Sequence, residues 1–296
     1  MGCNTQQWRP PPRADLGTSV TFRPIDFFST PPIDRFEIAG TSGNDTIVVR
    51  VLDSSGKFTV SINGQRRTNT AASIVIATGA GDDDILIVHG DGATEPMPVT
   101  IYGGDGNDTI VGSFGREKIF AGAGDDVVAA GNGNDAVYAE AGNDYVRGGA
   151  HNDRLDGGDG ADTLRGDAGN DFLAGGAQPD RLRGSAGNDT LLGHGGRDHL
   201  AGEDGDASLV GHAGNDVFSG GRDNDTFADF LDGYDLQADV TTAVGSSSGG
   251  ANGTTGTLQF DLIDTRVSGS TATSGSINKY NTKTIWLLNS DYVVLP

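Results

Sequence analysis

The sequence predicts an all-β protein, a β-solenoid of nine-residue repeats with a β-rich cap at its N-terminal and at its C-terminal end. This fold is indicated by a strict repeat, by an apolar residue at one fixed place in each repeat, and by glycine-rich turns between short apolar runs. The 296 residues include 48 glycines, and only 35% are hydrophobic. These apolar side chains are too few for a conventional large core, so a stack of small similar units is expected.

The repeat runs from Gly103 to Ala228 as fourteen units without an insertion. Its first unit, Gly103–Val111, reads Gly-Gly-Asp-Gly-Asn-Asp-Thr-Ile-Val. The eighth position is apolar in every unit, with the residues Ile110, Ile119, Val128, Val137, Val146, Leu155, Leu164, Leu173, Leu182, Leu191, Leu200, Leu209, Phe218 and Phe227. A disordered tract of glycine and aspartate would not keep apolar residues in step over this length. The pattern therefore predicts a folded repeat whose eighth side chain points inward.

The sixth position is acidic in every unit but one. Glu117 and Ala207 are the exceptions to aspartate there, and the other units carry Asp108, Asp126, Asp135, Asp144, Asp153, Asp162, Asp171, Asp180, Asp189, Asp198, Asp216 and Asp225. With the glycines, this spacing resembles the repeats-in-toxin (RTX) family, whose consensus is G-G-x-G-x-D-x-U-x. The resemblance implies a parallel β-roll in which each coil takes two units. Fourteen units then imply seven coils, with the turns of every second unit stacked on one side.

Turns of this composition are suited to binding calcium. Ca²⁺ takes six to eight oxygen ligands, and one turn offers a carboxylate and several backbone carbonyls, so two stacked turns complete the shell. The glycines at the first, second and fourth positions are expected to adopt positive φ and bring carbonyls together, and the last three residues to form a short strand. The predicted ligands are the twelve aspartates named above together with Gly103, Gly106, Gly124, Gly133, Gly142, Gly160, Gly169 and Gly187. They would hold roughly ten Ca²⁺ ions.

The two sides of the predicted roll differ in their sixth positions. One side is unbroken and carries Asp108, Asp126, Asp144, Asp162, Asp180, Asp198 and Asp216. On the other side we expect missing or weak sites near Glu117 and Ala207. Three residues replace glycine at the fourth position and are expected to alter the local turn, namely His151, Gln178 and Asp223.

Charge and cysteine content limit the partners. The formal net charge of −21 and the pI near 4.3 argue against nucleic acid and favour cations. A single cysteine, Cys3, excludes an intramolecular disulfide framework and a multi-cysteine zinc site. No apolar run approaches the roughly 20 residues of a membrane helix. Because the acidic turns repel each other, the repeat block is expected to be largely unfolded without calcium and to fold when calcium binds.

The chain divides into four predicted segments. Residues 1–34 form an extended, proline-rich lead-in, 35–102 a β-rich N-terminal cap, 103–228 the repeat block, and 229–296 a C-terminal β cap with a flexible Gly/Ser loop at 244–257. The N-terminal cap contains two detached turn motifs, at 40–45 and 79–83, which predict wider and irregular coils. Its predicted strands are Thr46–Leu52, Phe58–Ile62, Ser73–Ala77, Ile85–His89 and Val99–Tyr102.

The remaining motifs give weaker predictions. The histidines show no H-E-x-x-H spacing, and the G-x-S-x-G match at 245–249 lies in low-complexity sequence, so no catalytic residue set is predicted. His194 and His212 occupy the same position in units that are two apart and are expected to stack, which makes them a minor candidate for a transition metal. Cys3 is either a lipidated residue or a free thiol. The C-terminal residues 289–296 are either a type I secretion signal or an ordinary terminal strand.

The sequence therefore predicts a secreted or cell-surface bacterial calcium-binding protein with a structural or adhesive role and no enzymatic activity. Its expected partners are calcium ions, with a cell-surface glycan or further copies of the chain as additional partners and with neither nucleic acid nor a membrane span. A second hypothesis makes the chain a secretion, folding or carbohydrate-binding accessory module related to RTX enzymes, in which residues 36–102 contact a polysaccharide.

Overall fold

The computed structural model describes residues 21–24, 35–92, 97–228 and 236–237. These residues form strands and turns, with no helix among them, and belong to one compact unit. Several predictions lie outside the described residues. They concern Cys3, most of the lead-in at 1–34, the Gly/Ser loop at 244–257, nearly all of the C-terminal cap at 229–296 with its G-x-S-x-G match, and the secretion signal at 289–296.

Strands β1 to β8 precede or enter the repeat block. They are β1 (Thr21–Pro24), β2 (Phe36–Ala39), β3 (Thr46–Asp53), β4 (Lys57–Ile62), β5 (Gln65–Thr70), β6 (Ile74–Ala80), β7 (Asp84–Gly92) and β8 (Val99–Asp105). The later strands are β9 (Thr109–Ser113), β10 (Glu117–Ala123), β11 (Val127–Asn132), β12 (Ala136–Ala141), β13 (Tyr145–Ala150), β14 (Arg154–Asp159), β15 (Thr163–Ala168), β16 (Phe172–Ala177), β17 (Arg181–Ala186), β18 (Thr190–Gly195), β19 (His199–Asp204), β20 (Ser208–Ala213), β21 (Val217–Arg222), β22 (Thr226–Ala228) and β23 (Leu236–Gln237).

From β6 onward, successive strands alternate between two sheets, and neighbouring strands within each sheet run parallel. Sheet A has the order β1-β2-β6-β8-β10-β12-β14-β16-β18-β20-β22, and sheet B has the order β23-β21-β19-β17-β15-β13-β11-β9-β7-β3-β4-β5. Within the repeat block each residue pairs with its counterpart two units on, as for Ile119 with Val137 and Val137 with Leu155. This register confirms that one coil takes two units and that the block is a parallel β-solenoid of about seven turns.

The coils lengthen toward the N-terminus. Ile101 pairs with Ile76, and Ile76 in turn pairs with Ile38, so each step toward the N-terminus spans a longer stretch of chain than two repeat units. The longest coil includes the antiparallel strands β4 and β5, which extend sheet B beyond β3. Strand β1, within the predicted lead-in, pairs antiparallel with β2 and forms the described edge of sheet A.

The core is a column of eighth-position side chains between the sheets. Those from Ile110 to Phe218 are 0–2% exposed. Phe227 is partly buried and packs edge-on against Phe218, with ring centroids 6.1 Å apart. The strands are longer than the predicted three residues, as in Tyr145–Ala150, because pairing continues through the first three residues of the next unit. Each unit thus turns its eighth and next first residue inward, and the first is only glycine or alanine, so the core is thin.

Candidate metal sites in the stacked turns

The sixth-position aspartates form a continuous hydrogen-bonded ladder on one side of the roll. The N–H of Asp108 donates to Oδ1 of Asp126 over 2.7 Å, and the N–H of Asp126 donates to Oδ1 of Asp144 over 2.8 Å. The same contact repeats through Asp162, Asp180, Asp198 and Asp216. It also extends backward to Asp83 and Asp45, which belong to the two detached turn motifs of the N-terminal cap. We call this series the first ladder.

The second ladder, on the opposite side, is interrupted. It begins where the N–H of Glu117 donates to Oδ1 of Asp135 over 2.7 Å, and it continues through Asp153, Asp171 and Asp189. Ala207 has no carboxylate to accept the N–H of Asp189. The contact resumes one coil later, where the N–H of Ala207 donates to Oδ1 of Asp225 over 3.0 Å. The break lies at one of the two places that the sequence predicts.

Each aspartate that accepts a ladder hydrogen bond uses only one carboxylate oxygen for it, and Glu117 uses one oxygen for the hydroxyl of Ser113. The other oxygen is buried and has no hydrogen-bond partner in Asp83, Asp108, Glu117, Asp126, Asp135, Asp144, Asp153, Asp162, Asp171, Asp180, Asp189 and Asp198. A buried carboxylate oxygen without a donor costs about 1–3 kcal/mol or more, so proteins pair such atoms or use them to bind cations. This donor set therefore fits a hard divalent cation.

Asp45, at the end of the first ladder, shows the contrast. Its Oδ2 accepts the N–H of Thr41 over 2.5 Å and the hydroxyl of Thr41 over 3.1 Å, and its Oδ1 accepts the amide of Asn63 over 2.6 Å. Protein donors satisfy this carboxylate. The chain therefore caps the end of the ladder with its own hydrogen bonds and leaves the internal turns for another positive partner.

Burial raises the pKa of the ladder carboxyls. It raises the pKa of Asp108 and Asp162 to about 6, that of Asp126 to about 7, and that of Asp153 and Asp180 to about 8, with neighbouring carboxylates adding to the effect. Ionised forms at these places lack a nearby positive charge. A cation between the turns would supply that charge and return the carboxyls to their ionised state.

Most residues at the second and fourth positions of the turns have a left-handed backbone conformation. The left-handed glycines there have φ from 103° to 148°, and the left-handed non-glycine residues at the same positions have φ from 66° to 88°. His151, Gln178 and Asp223 belong to the second group, so the turn survives all three replacements. The expectation of positive φ at the first position is wrong. At Gly103 the constraint is space, because a Cβ there would overlap the carbonyl oxygen of Ala121 and Oδ2 of Asp108.

A further ladder at the fifth position was not predicted from the sequence. The N–H of Asp125 donates to Oδ1 of Asn107 over 2.8 Å, and the N–H of Asn170 donates to Oδ1 of Asn152 over 2.8 Å. These contacts are exposed and run opposite to the sixth-position ladders, since the acceptor lies in the earlier coil. Ala161 lacks an acceptor, and the residue stacked on it, Pro179, lacks an N–H. The signal was present as recurrent asparagine and aspartate in the fifth column.

Glu117 lies in an atypical turn. Its Oε1 accepts the hydroxyl of Ser113 over 2.7 Å, and burial raises its pKa to about 7. Ser113 replaces the second glycine of this unit. The longer side chain thus takes a donor from its own turn, which sets it apart from the aspartates of the same ladder.

The two histidines stack as the sequence predicts. The rings of His194 and His212 lie 4.8 Å apart and 10° from parallel. Parallel rings direct their nitrogen lone pairs side by side, so a shared metal would require one ring to turn. Within the part of the chain that the structure describes, no group of three or more His, Cys, Asp or Glu side chains is placed to hold a metal. Backbone carbonyls must therefore contribute to any ion site in the turns.

Comparison with known families agrees with this geometry. The family model described as the RTX calcium-binding nonapeptide repeat matches residues 99–116, 111–146, 147–182, 175–209 and 193–227. No curated protein matches the chain. None of the described residues forms a helix long and apolar enough to cross a membrane. Residues 99–227 therefore form a calcium-binding β-roll of the RTX nonapeptide-repeat type.

Proposed function

We propose that this chain is an extracellular protein whose β-roll folds around Ca²⁺ and then acts as a rigid structural or adhesive element. The observation that supports this proposal is the buried carboxylate oxygen that recurs without a donor in consecutive turns of both ladders. Extracellular calcium modules have dissociation constants of roughly 0.1–1 mM, so the calcium outside cells would load the roll.

The aspartates of both ladders are the proposed side-chain ligands in the repeat block. On the first side they are Asp108, Asp126, Asp144, Asp162, Asp180, Asp198 and Asp216, and on the second side Asp135, Asp153, Asp171, Asp189 and Asp225. The proposed carbonyl ligands are those of Gly103, Gly106, Gly124, Gly133, Gly142, Gly160, Gly169 and Gly187. Calcium bound there would neutralise the carboxylates. The chain's own contribution is to hold each carboxylate in place through the N–H of the preceding coil.

A structural role is favoured over catalysis. The acidic residues that could act as general acids or bases are buried in regular, nearly identical turns and are engaged in the ladder. An active site instead places a few unlike groups around one cleft. Export by a type I route and a lipid anchor at Cys3 are alternative ways to reach the cell exterior.

A second candidate function is a glycan-binding accessory module. It is favoured by the outer face of sheet B, which carries exposed apolar side chains, among them Val111, Val127 and Tyr145, next to a row of arginines. Self-assembly is the alternative use of an adhesive roll. These roles differ in outcome, because glycan binding leaves the particle size unchanged and self-assembly increases it.

Far-UV circular dichroism of the full chain tests calcium-driven folding. In excess EGTA we expect a spectrum dominated by unfolded chain, and a cooperative gain of β signal as Ca²⁺ reaches millimolar concentration. Magnesium at equal concentration is the matched control and should induce little β structure, since it demands a tighter octahedral shell. A full β spectrum in EGTA would overturn the proposal.

A further inference from the structure

An open groove lies on the outer face of sheet B. It has a volume of about 600 Å³ and crosses neighbouring coils, with lining residues in or next to β7, β9, β11 and β13 and with Asp167 of β15. Gly131 and Gly149 line it and are partly exposed, so backbone is accessible there. Stacked strands are about 4.8 Å apart, so a groove across four or five strands is on the order of 15–20 Å long. Such a shape suits a linear ligand that lies along the roll axis.

One end of the groove is apolar and aromatic. Phe114 is 63% exposed, and its ring lies edge-on to His89, with centroids 6.0 Å apart. Both ring nitrogens of His89 are buried without a hydrogen-bond partner, and burial lowers the pKa of this histidine. Val88, which is partly buried, also lines this end. The end thus offers one exposed aromatic ring, with the partly buried His89 side chain packed edge-on against it.

The other end of the groove is basic. Arg147 donates to Oδ2 of Asp167 from Nε over 2.9 Å and from Nη2 over 2.6 Å. Arg165 stacks on Arg147 in the next coil and contacts the same aspartate, and Arg183 stacks on Arg165 and reaches Glu203 at 3.2 Å. We call Arg147, Arg165 and Arg183 the arginine row.

The basic character is concentrated on this face. The seventh and ninth positions of the repeat strands in sheet B carry four arginines, the fourth being Arg181, whereas the carboxylates that pair with the arginine row, Asp167 and Glu203, are only two and lie at second positions. This is unusual for a chain with a net charge of −21, whose repeat block is mostly acidic. The arginine row continues the groove along the same axis, with one guanidinium in each coil. A partner with regularly spaced single negative charges would match this face.

We propose that the groove and the arginine row bind an oligosaccharide that contains uronic acids and lies along the roll axis. An exposed ring suits the C–H face of a sugar, and the Asn132 amide and the backbone at Gly131 and Gly149 suit its hydroxyls. Guanidinium groups pair with carboxylates in a forked, charge-assisted geometry. Nucleic acid fits less well, because the net charge of the protein repels a densely charged polyanion.

This inference rests on the proposed function, since the groove requires a folded roll. The test uses the full chain in Ca²⁺ and three hexasaccharide probes, built on glucuronate, galacturonate and mannuronate. Six sugars are short enough to avoid cross-linking by calcium. Calorimetry should show binding of at least one probe, and methyl esterification of its carboxylates should weaken binding on the order of tenfold or more. Neutral probes of equal length should bind no better than the ester.

Variants locate the site. Arg165→Gln with Arg183→Gln should weaken binding on the order of tenfold or more, and Phe114→Ala on the order of fivefold to tenfold. The matched control is Arg154→Gln, which removes one arginine from the outer face of sheet A and should leave binding unchanged. Circular dichroism in Ca²⁺ confirms that every variant is folded.

Each result decides between claims. A chain that folds with Ca²⁺ but binds none of the three probes overturns this inference and leaves the calcium proposal standing. A chain that is equally folded with and without Ca²⁺ overturns the proposed function. Equal losses in Arg154→Gln and in the paired variant would show nonspecific attraction. Tighter binding of a single-stranded oligonucleotide or of poly-glutamate would assign the face to another class of anion.

Discussion

The backbone N–H of Asp144 donates to Oδ1 of Asp162, its counterpart in the next coil, over 2.9 Å. The other oxygen of the same carboxylate, Oδ2 of Asp162, is buried and has no hydrogen-bond donor. One oxygen of the carboxylate is thus held by the chain while the other stays available. Because this relationship recurs in coil after coil, the roll presents a scaffold of fixed carboxylates, and under the proposed function its stability depends on cations.

Removing one ladder charge should weaken calcium binding. Asp162→Asn keeps an oxygen that can accept the N–H of Asp144 but loses the charged ligand. We expect the midpoint of a calcium titration, followed by circular dichroism, to rise on the order of tenfold, which corresponds to about 1.4 kcal/mol. Asp159→Asn is the matched control, since Asp159 is exposed at the end of β14 and belongs to the same unit. Equal midpoints for the two variants would argue against a ligand role for Asp162.

Adding a carboxylate at the break in the second ladder should stabilise the calcium-loaded roll. Ala207→Asp provides an acceptor for the N–H of Asp189 and a carboxylate between Asp189 and Asp225. We expect the melting temperature to rise in Ca²⁺ but not in EGTA, and calorimetry to show at least one additional bound ion. Ala161→Asp adds the same charge at an exposed fifth position, where Pro179 has no N–H to donate. That control should not change the calcium stoichiometry.

Stability should depend on pH in opposite ways without and with calcium. Burial raises the pKa of the folded ladder carboxyls, for example from 3.8 to about 6 in Asp162 and to about 8 in Asp180. In EGTA their contribution to stability is fully present below the unfolded pKa of 3.8 and is lost as the pH rises through 6 to 8. The β signal that remains in EGTA should therefore be larger at pH 5 than at pH 8.

With calcium the sign reverses, because protons compete with the ion for the same oxygens. The calcium midpoint should fall as the pH rises from 5 to 8, and the melting temperature should rise. Circular dichroism at fixed temperature in EGTA and thermal melts in Ca²⁺ across this range check both slopes. Two slopes of the same sign would contradict the account.

The thin core should be sensitive to truncation. Leu164 is fully buried and stacks between Val146 and Leu182 in the adjacent coils. Leu164→Ala should lower the free energy of unfolding of the calcium-loaded roll by about 2–5 kcal/mol, as measured by urea titration. Thr163→Ala changes the outward neighbour on the same strand and should cost far less. A near-neutral Leu164→Ala would show that the column contributes little to stability.

The sixth and eighth positions could be predicted from the sequence, because the eighth is apolar in all fourteen units and the sixth is aspartate in twelve of them. The strand length could not, since the first three residues of a unit carry a turn signal and yet pair along the sheet, as in Tyr145–Ala150. Strand β5, Gln65–Thr70, was missed because its polar and exposed residues lack an apolar alternation, and its pairing with β4 defines it.

The role of the first glycine and the groove also depended on tertiary structure. The sequence suggested positive φ at Gly103. The structure shows instead that the Asp108 carboxylate packs against Gly103 and leaves no room for a Cβ. His89 and Arg147 are far apart in the chain and line one groove only because successive coils stack. This proximity follows from the strand register. The residue pattern indicated the register within the repeat block, but it did not indicate the register of the longer N-terminal coils.

A crystal structure of the full chain grown in saturating Ca²⁺, with anomalous diffraction data, tests the central claim most directly. The account predicts metal density between successive turns of the first ladder, beside the Oδ2 atoms of Asp126, Asp144 and Asp162, and weaker or no density beside Ala207. Turns without metal density, in a roll that keeps this fold, would contradict it.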